Sequence, residues 1–471
     1  MAPAASRGAD SKPATYKLVR EIPVETGYDV VVAGGGHAGV AAAVCAARLG
    51  AKVLLVEEAG CLGGMATSAM VNTFGPMANG ERNLAGGFML ELAETMHRRG
   101  FMPSNVTPDW WLKANLKWIP FKLEGLKLVF DELTAKAGVE VRFFTRVTDV
   151  DSGRKPRVID GLIIQNTEGY HCIRAKTFID CTGDAVVAGL AGAPCRVAGR
   201  DTPHAMPGSL PSLLAGVNFK EFKQSKGQSL LEQAVKDGFF TQPDRHFPGV
   251  TRVGESVAYL NGGHIFGIDA LNCKSMTEGA KFGRRLTQEY LAFCRKYLPG
   301  MENVELVTTA PAVGIRESRR IVGEYELTAK DFMVRREFSD QISVYGRPLD
   351  VHPYDASPEQ YERYLQDFQR EGRLNPGEYY GVPYGVLVPK GWKNLWAAGR
   401  CVSCDNRVLG SVRAQPSCSM LGQAAGTAAV QSVRTGQPAN ELDTEELVTT
   451  LRKAGAYLPQ PHTTKSMTRS A

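Results

Sequence analysis

Residues 27–64 constrain this chain more than any other segment. Tyr28-Asp29-Val30-Val31-Val32-Ala33 predicts a short buried strand, because an unbroken β-branched run suits a strand covered on both faces. Gly34-Gly35-Gly36-His37-Ala38-Gly39 follows at once and satisfies G-x-G-x-x-G. Residues 40–49 are Ala-rich and predict a helix closed by Gly50; residues 51–56 predict a second strand with Glu57 at its tip. Such a strand–turn–helix–strand unit commits the chain to an α/β fold on a parallel sheet. Gly34 allows a sharp turn, Gly36 admits a pyrophosphate where a Cβ would collide, and Gly39 lets the helix pack against the sheet. The helix start, at His37 and Ala38, offers free N–H groups and a partial positive charge to phosphates. Glu57 is placed to accept hydrogen bonds from a ribose. The expected ligand is a dinucleotide, NAD or FAD.

The next segment separates these two. Gly60-Cys61-Leu62-Gly63-Gly64-Met65-Ala66-Thr67 is a second glycine-rich turn where another helix could have begun. The arrangement resembles the FAD-binding fold of the glutathione-reductase-like superfamily, and the resemblance brings Gly63, Gly64, Met65 and Thr67 to the cofactor. Disulfide reductases of that superfamily carry a cysteine pair just after this turn. Here Cys61 stands alone and residues 65–72 hold no cysteine, so disulfide exchange is not expected.

Residues 123–136 carry a helical stripe at Leu126, Val129, Phe130 and Leu133, stopped by Gly138 and followed by a strand at 139–144. Thr145-Arg146-Val147 resembles the segment whose backbone meets the adenine, with Val147 on the cofactor. Residues 158–165 and 170–175 alternate and predict a small antiparallel meander. Thr177-Phe178-Ile179-Asp180-Cys181-Thr182-Gly183-Asp184 resembles the second FAD signature and brings Thr182, Gly183 and Asp184 to the site. Asn394-Leu395-Trp396-Ala397-Ala398-Gly399-Arg400 predicts another strand running into a glycine, with Gly399 and Arg400 at the cofactor. Residues 420–430 predict a glycine-started, Ala-rich helix. In the resembling fold its N-terminus faces the pyrimidine edge of the flavin, which implicates Gly422, Gln423 and Ala424 and would stabilise the reduced, anionic ring.

With these blocks the chain resembles the FAD-dependent oxidoreductase family. The matching segments are residues 30–67, 179–194, 314–327 with Arg316-Glu317-Ser318-Arg319-Arg320, and 382–427. The resemblance covers most of 27–435 and implies FAD and two-electron chemistry on a small molecule. His37 stands where many relatives have Pro or Ala. The tRNA-modifying flavoproteins do carry Gly-Gly-Gly-His-Ala-Gly, but they also have a long helical C-terminal domain, for which this chain ends too soon. The expected fold is α/β, a Rossmann-like FAD-binding domain of the glutathione-reductase type interrupted by an α+β substrate or cap domain. The expected organisation is a flexible tail at 1–26, FAD-binding parts at 27–185 and 381–440, a substrate domain at 186–380, and a C-terminal helix and tail at 441–471.

A flavin dehydrogenase needs the substrate C–H near the flavin, a base for the O–H or N–H proton, and a donor or cation to orient the substrate. His204, His246, His264 and His352 are the cap histidines, and His352 in Asp350-Val351-His352-Pro353 ranks first, His264 after Asn261-Gly262-Gly263 second. Arg316 ends an apolar strand-like piece and suits a carboxylate or hydroxyl, against an ion pair with Glu317 or Glu324. Arg407 and Arg413 are second-rank contacts. Cys401-Val402-Ser403-Cys404 lacks the two further ligands of a zinc site, so no metal is expected. No G-x-S-x-G and no second dinucleotide unit occur, so electrons are expected to leave to oxygen, a quinone or a carrier. The leading expectation is FAD-dependent oxidation of a CH–OH or CH–NH group. Its rivals are a flavin-dependent C=C reductase or desaturase and an electron-relay flavoprotein.

Composition excludes several other classes. A net charge of +6 over 471 residues, with no run of five like charges, is no nucleic-acid signature. Ten cysteines without a repeated framework suit a reducing, cytoplasmic compartment. The first 26 residues carry charges and no apolar core, unlike a signal peptide, and the uncharged stretches 30–47 and 414–433 are too polar for membrane spans. A homo-oligomer is compatible with this composition.

Overall fold

A computed structural model describes residues 15–200 and 202–460. The expected tail at 1–26 and the C-terminal tail lie largely outside the described residues.

The centre is a seven-stranded sheet. Strand Val24–Ala33 pairs in parallel with Val53–Val56 on one side and with Gly169–Asp180 on the other, and Glu140–Arg142 extends the parallel edge. The side-chain alternation of a strand sorts the apolar run between two cores. Val30, Val32, Val53 and Leu55 enter one, while Val31, Ala33, Leu54 and Val56 enter the other. Both faces are covered, which is why the run shows no polar alternation.

The first strand starts at Val24, earlier than the expected Tyr28, because Val24 and Glu25 pair with Cys172 and Ile173. The second meander segment, 170–175, and the second signature form a single strand, Gly169–Asp180. Its first half closes an antiparallel meander with Gly161–Asn166 and Arg146–Asp151; its second half holds Leu395–Ala397 in parallel. Thus residues more than 200 positions apart in sequence end side by side at one sheet edge.

Helix His37–Arg48 leaves the first strand and lies against the long helix Gln415–Thr435. Small residues allow this approach: a Cβ on Gly422 would stand 2.0 Å from the Ala38 carbonyl oxygen, and one on Gly426 2.2 Å from that of Ala42. The expected start of this helix near Met420 is corrected to Gln415. Pro416 sits in the first turn, where its missing N–H leaves no intrahelical bond unmade.

Residues 212–309 build a separate core. Ser212–Ala215, Gly249–Arg252, Ala258–Asn261 and Glu305–Thr309 form a four-stranded antiparallel sheet. Leu214, Leu260, Leu286, Tyr290 and Phe293 fill the space under helices Gly227–Lys236 and Cys273–Tyr297. Strand Gln341–Tyr345 pairs with Tyr380–Pro383, and the pair joins the first core through Ile342, Tyr345, Tyr380 and Val382. No helix among the described residues is long and apolar enough to cross a membrane.

Candidate functional site

One cavity of about 990 Å³ runs from the first glycine turn to the four-stranded antiparallel sheet. Its outer part is made of backbone. Gly34 has φ +95°, and a Cβ there would stand 2.5 Å from the Cys181 carbonyl oxygen. Gly63, at φ +111°, donates its N–H to the Gly35 oxygen at 2.8 Å, so the two glycine turns touch. A Cβ on Gly36 would meet only the Gly64 Cα, at 4.0 Å, and otherwise project into the cavity.

The expected cofactor residues divide into two groups. Gly34, Gly36, His37, Ala38, Glu57, Gly63, Gly64, Met65, Val147, Thr182, Gly183, Asp184, Gly399 and Arg400 line the cavity. Gly39, Thr67, Gly422, Gln423 and Ala424 do not. Gly39 packs the helix on Gly34, whose oxygen would stand 1.8 Å from an added Cβ. Thr67 donates to the Leu62 oxygen at 2.8 Å and pins the second turn. Gly422, Gln423 and Ala424 lie two turns inside their helix, where the N–H groups are already bonded. Gln423 accepts from Phe88 N–H at 3.0 Å and packs under Gly87. The helix start that borders the cavity is Ala414-Gln415. Its sequence signal was Pro416, which marks a first helical turn.

Hydrogen bonds set the shape of the cradle. Glu57 accepts the N–H groups of Gly35 and Ala59, and its burial raises its pKa against these bonds. Asp180, fully buried, accepts from Thr182 N–H at 3.1 Å, Thr182 Oγ1 at 2.7 Å and Ala188 N–H at 2.9 Å, and so forms the Thr182–Gly183 turn. Burial raises its pKa as well. Arg400 holds Asp184 at 2.7 Å and donates to Ser318 Oγ at 3.1 Å. His37 is buried between Phe74 and Phe130, shares a 3.1 Å hydrogen bond with Ser419 Oγ, and has its pKa pushed down to about 3 by burial. It is therefore neutral and anchors the helix end.

The inner end of the cavity is a buried polar pole. His352 Nδ1 lies 2.8 Å from His264 Nε2, and His352 Nε2 lies 3.4 Å from Asp350 Oδ1. His264 Nδ1 lies 2.9 Å from Asp244 Oδ2. His352 borders the cavity; His264 stands behind it. Arg316 donates to the Pro207 oxygen at 2.8 Å and forms no ion pair among the described residues. Its expected competitors are engaged elsewhere: Glu317 with Arg320 at 2.8 Å, Glu324 with the Gly391 N–H. Burial lowers the Arg316 pKa to about 10, although Asp350 and Asp244 oppose the shift. Arg413 donates to the Asp350 main-chain oxygen at 3.1 Å, and Arg347 pairs with the Asp350 carboxylate. Burial works against the Asp350 charge, yet His352 and Arg347 hold its carboxyl well below the usual range.

Asp180, Asp244, Arg347 and Asp350 are functional-site residues that the motifs did not single out. A signal existed for two of them: Asp244-Arg245-His246 and Asp350-Val351-His352 are both Asp-x-His. Arg407 pairs with Asp367 at 2.6 Å and does not border the cavity, whereas Arg413 does. Cys401 and Cys404 are buried, and burial pushes both thiols up, so neither is poised as a thiolate.

The cradle fits an extended dinucleotide. Gly36 faces open space between the two glycine turns, Gly34, Gly63 and Gly64 border the same cavity, and a carboxylate stands at the tip of the second strand. Among solved structures, the chain is similar to a geranylgeranyl bacteriochlorophyll reductase-like protein from Thermoplasma acidophilum, with TM-score 0.48 and 15% identity over 91% of this chain and 83% of that one. It is similar to the flavin-dependent brominase Bmp2, with TM-score 0.45 and 14% identity over 91% and 83% of the two chains. It is similar also to p-nitrophenol 4-monooxygenase PnpA from Pseudomonas putida DLL-E4, with TM-score 0.44 and 13% identity over 91% and 85%. No curated protein matches the chain. A family model described as FAD dependent oxidoreductase matches residues 29–451, so the chain belongs to the FAD-dependent oxidoreductase family and its cofactor is FAD.

Proposed function

We propose that the protein is an FAD-dependent dehydrogenase or oxidase acting on a small-molecule CH–OH or CH–NH group. The observation that supports this most is the continuity of one cavity from the glycine turns to the pole at His352 and Arg316. In this reading the fold is of the glutathione-reductase type, and the 212–309 sheet forms the substrate domain. Gly34, Gly36, Gly63 and Gly64 receive the pyrophosphate, Glu57 the ribose, and Val147 the adenine. The helix beginning at Gln415 turns its free N–H groups to the flavin ring.

FAD supplies the acceptor for a hydride equivalent when bound. The chain's own groups do the rest. Arg316 donates hydrogen bonds that orient the substrate oxygen or nitrogen. The substrate C–H leaves as hydride and its O–H or N–H as a proton, giving C=O or C=N. The histidine pole takes up that proton. Burial keeps His246 and His352 neutral at neutral pH, with His246 at about 3. Asp244 and Asp350 stabilise the positive charge that develops. Reoxidation by oxygen, a quinone or a carrier completes the cycle.

Anaerobic mixing with a panel of small alcohols, sugars, amines and hydroxy acids tests the reading. Bleaching of the flavin by a member of the panel is expected, and His352→Ala should slow it strongly while FAD stays bound. Unchanged reduction kinetics in that variant would remove His352 from the role. A second reading, reduction of a C=C bond conjugated to a carboxylate, is favoured by the three buried guanidinium groups of Arg316, Arg347 and Arg413 at the same pole. It predicts that an enoate reoxidises the reduced protein and that no alcohol or amine bleaches it.

A further inference from the structure

His246, His264 and His352 meet at the inner end of the cavity, with one ring nitrogen of each within 4.8 Å of the others. The His264 and His352 rings cross edge to face, with centroids 5.0 Å apart, and His246 stacks parallel to His264 at 5.1 Å. His264 and His352 are buried; His246 is half-buried and borders the cavity.

Asp244 Oδ2 lies 2.9 Å from His264 Nδ1 and Asp350 Oδ1 lies 3.4 Å from His352 Nε2, on the far side of each ring from the 2.8 Å contact between His264 Nε2 and His352 Nδ1. A carboxylate behind the distal nitrogen is how metal-bound histidines are oriented. Two imidazole nitrogens about 2.1 Å from one cation stand about 3 Å apart at right angles and about 3.4 Å apart at the tetrahedral angle, so the 2.8 Å pair opens by a few tenths of an ångström to hold one.

We propose that His246, His264 and His352 bind one divalent transition-metal cation, with Asp244 and Asp350 orienting His264 and His352 from behind. An all-imidazole set suits zinc, iron, nickel or copper rather than magnesium or calcium. The open side of the cation faces the cavity through His246. Arg347 and Arg413 are tied to Asp350, and Arg316 has no ion pair among the described residues. These three cations disfavour a bare metal, so the open position takes an anionic oxygen: hydroxide, or a substrate hydroxyl that has lost its proton to cavity water. The cation thereby performs the proton-handling assigned above to the histidine pole. Metal binding itself does not depend on the flavin reading.

The test uses the full-length, FAD-loaded protein, stripped of metal with a chelator and then titrated with ZnCl2 by calorimetry, with elemental analysis after gel filtration. One equivalent of zinc should bind, and His264→Ala and His352→Ala should each abolish it. His204→Ala, an exposed histidine, should keep it. Flavin content and melting temperature report whether each variant folds. If the alanine variants do not fold, Asp244→Asn keeps all three imidazoles and should weaken zinc about 10–100-fold. The proposal is overturned if the wild type retains no zinc, cobalt or ferrous iron, or if the His264→Ala/His352→Ala double variant, or a folded Asp244→Asn variant, binds zinc as well as the wild type. Flavin bleaching by alcohols or amines is read separately, so failure of either idea is distinguishable from failure of the other.

Discussion

Replacing Gly36 by alanine should separate cofactor binding from folding. Gly36 has φ −69° and ψ −175°, a conformation that alanine adopts without strain. The new Cβ would meet only the Gly64 Cα, at 4.0 Å. The stability of the apoprotein should therefore change by no more than about 0.5 kcal/mol. The same methyl group projects into the cavity at the helix start, where the proposed reading places a pyrophosphate on backbone N–H groups. Losing one or two charge-assisted hydrogen bonds, worth about 1.5–3 kcal/mol each, removes about 3 kcal/mol. That is roughly a 150-fold rise in the Kd for FAD. Fluorescence titration of apoprotein with FAD measures the affinity, and thermal melting of the apoprotein measures the fold. Gly422→Ala is the matched contrast. Its Cβ would stand 2.0 Å from the Ala38 main-chain oxygen, so the two central helices must separate, at a cost of about 3 kcal/mol of stability. Wild-type FAD affinity in Gly36→Ala would refute the claim that the dinucleotide approaches the backbone there. Wild-type stability in Gly422→Ala would refute the packing role of that glycine.

Three more outcomes follow from the same geometry. The folded-state pKa of His37 is about 3 against an ordinary 6.5, so the unfolded chain binds the proton more readily and stability rises with pH between these values. Its contribution is complete above about pH 6.5 and falls on acidification, by about 1.4 kcal/mol at pH 5.5; denaturant titrations should show a slope that is shallower by that amount in His37→Gln, with His246 and His352 contributing alike to both proteins. Arg316→Leu should leave FAD bound and raise the substrate KM about tenfold or more, since a hydrogen bond from a charged group is lost; an unchanged KM would remove Arg316 from substrate orientation. Cys401→Ala/Cys404→Ala should leave the rate of flavin reduction unchanged, because both thiols are buried and protonated; a lost reductive half-reaction would restore a redox role for the pair.

Much of the cofactor cradle was legible in the sequence because its parts are local. Gly34, Gly36 and Glu57 sit within one strand–turn–helix–strand unit, and Gly63-Gly64 follow directly. A phosphate cradle made of consecutive backbone leaves its trace as consecutive glycines. The long C-terminal helix begins five residues before the expected Met420, because Pro416 belongs in a first turn. The strand Gly169–Asp180 was divided in two because its halves have different neighbours, antiparallel first and parallel afterwards, and so different patterns of burial.

The sequence by itself determined the α/β fold, the dinucleotide turn and the FAD assignment, since each rests on residues within one turn or one strand of each other. The tertiary structure decided the rest. Which apolar residue entered which core depended on the sheet's neighbours. Gly422 became a helix-packing residue because Ala38 lies across from it. The pole of the cavity combines Asp244, His246 and His264 from around the four-stranded sheet with Asp350 and His352, about a hundred residues later. The 2.8 Å contact between His264 and His352, 88 residues apart, has no spacing to announce it, because it forms only when the folded chain brings the two rings together.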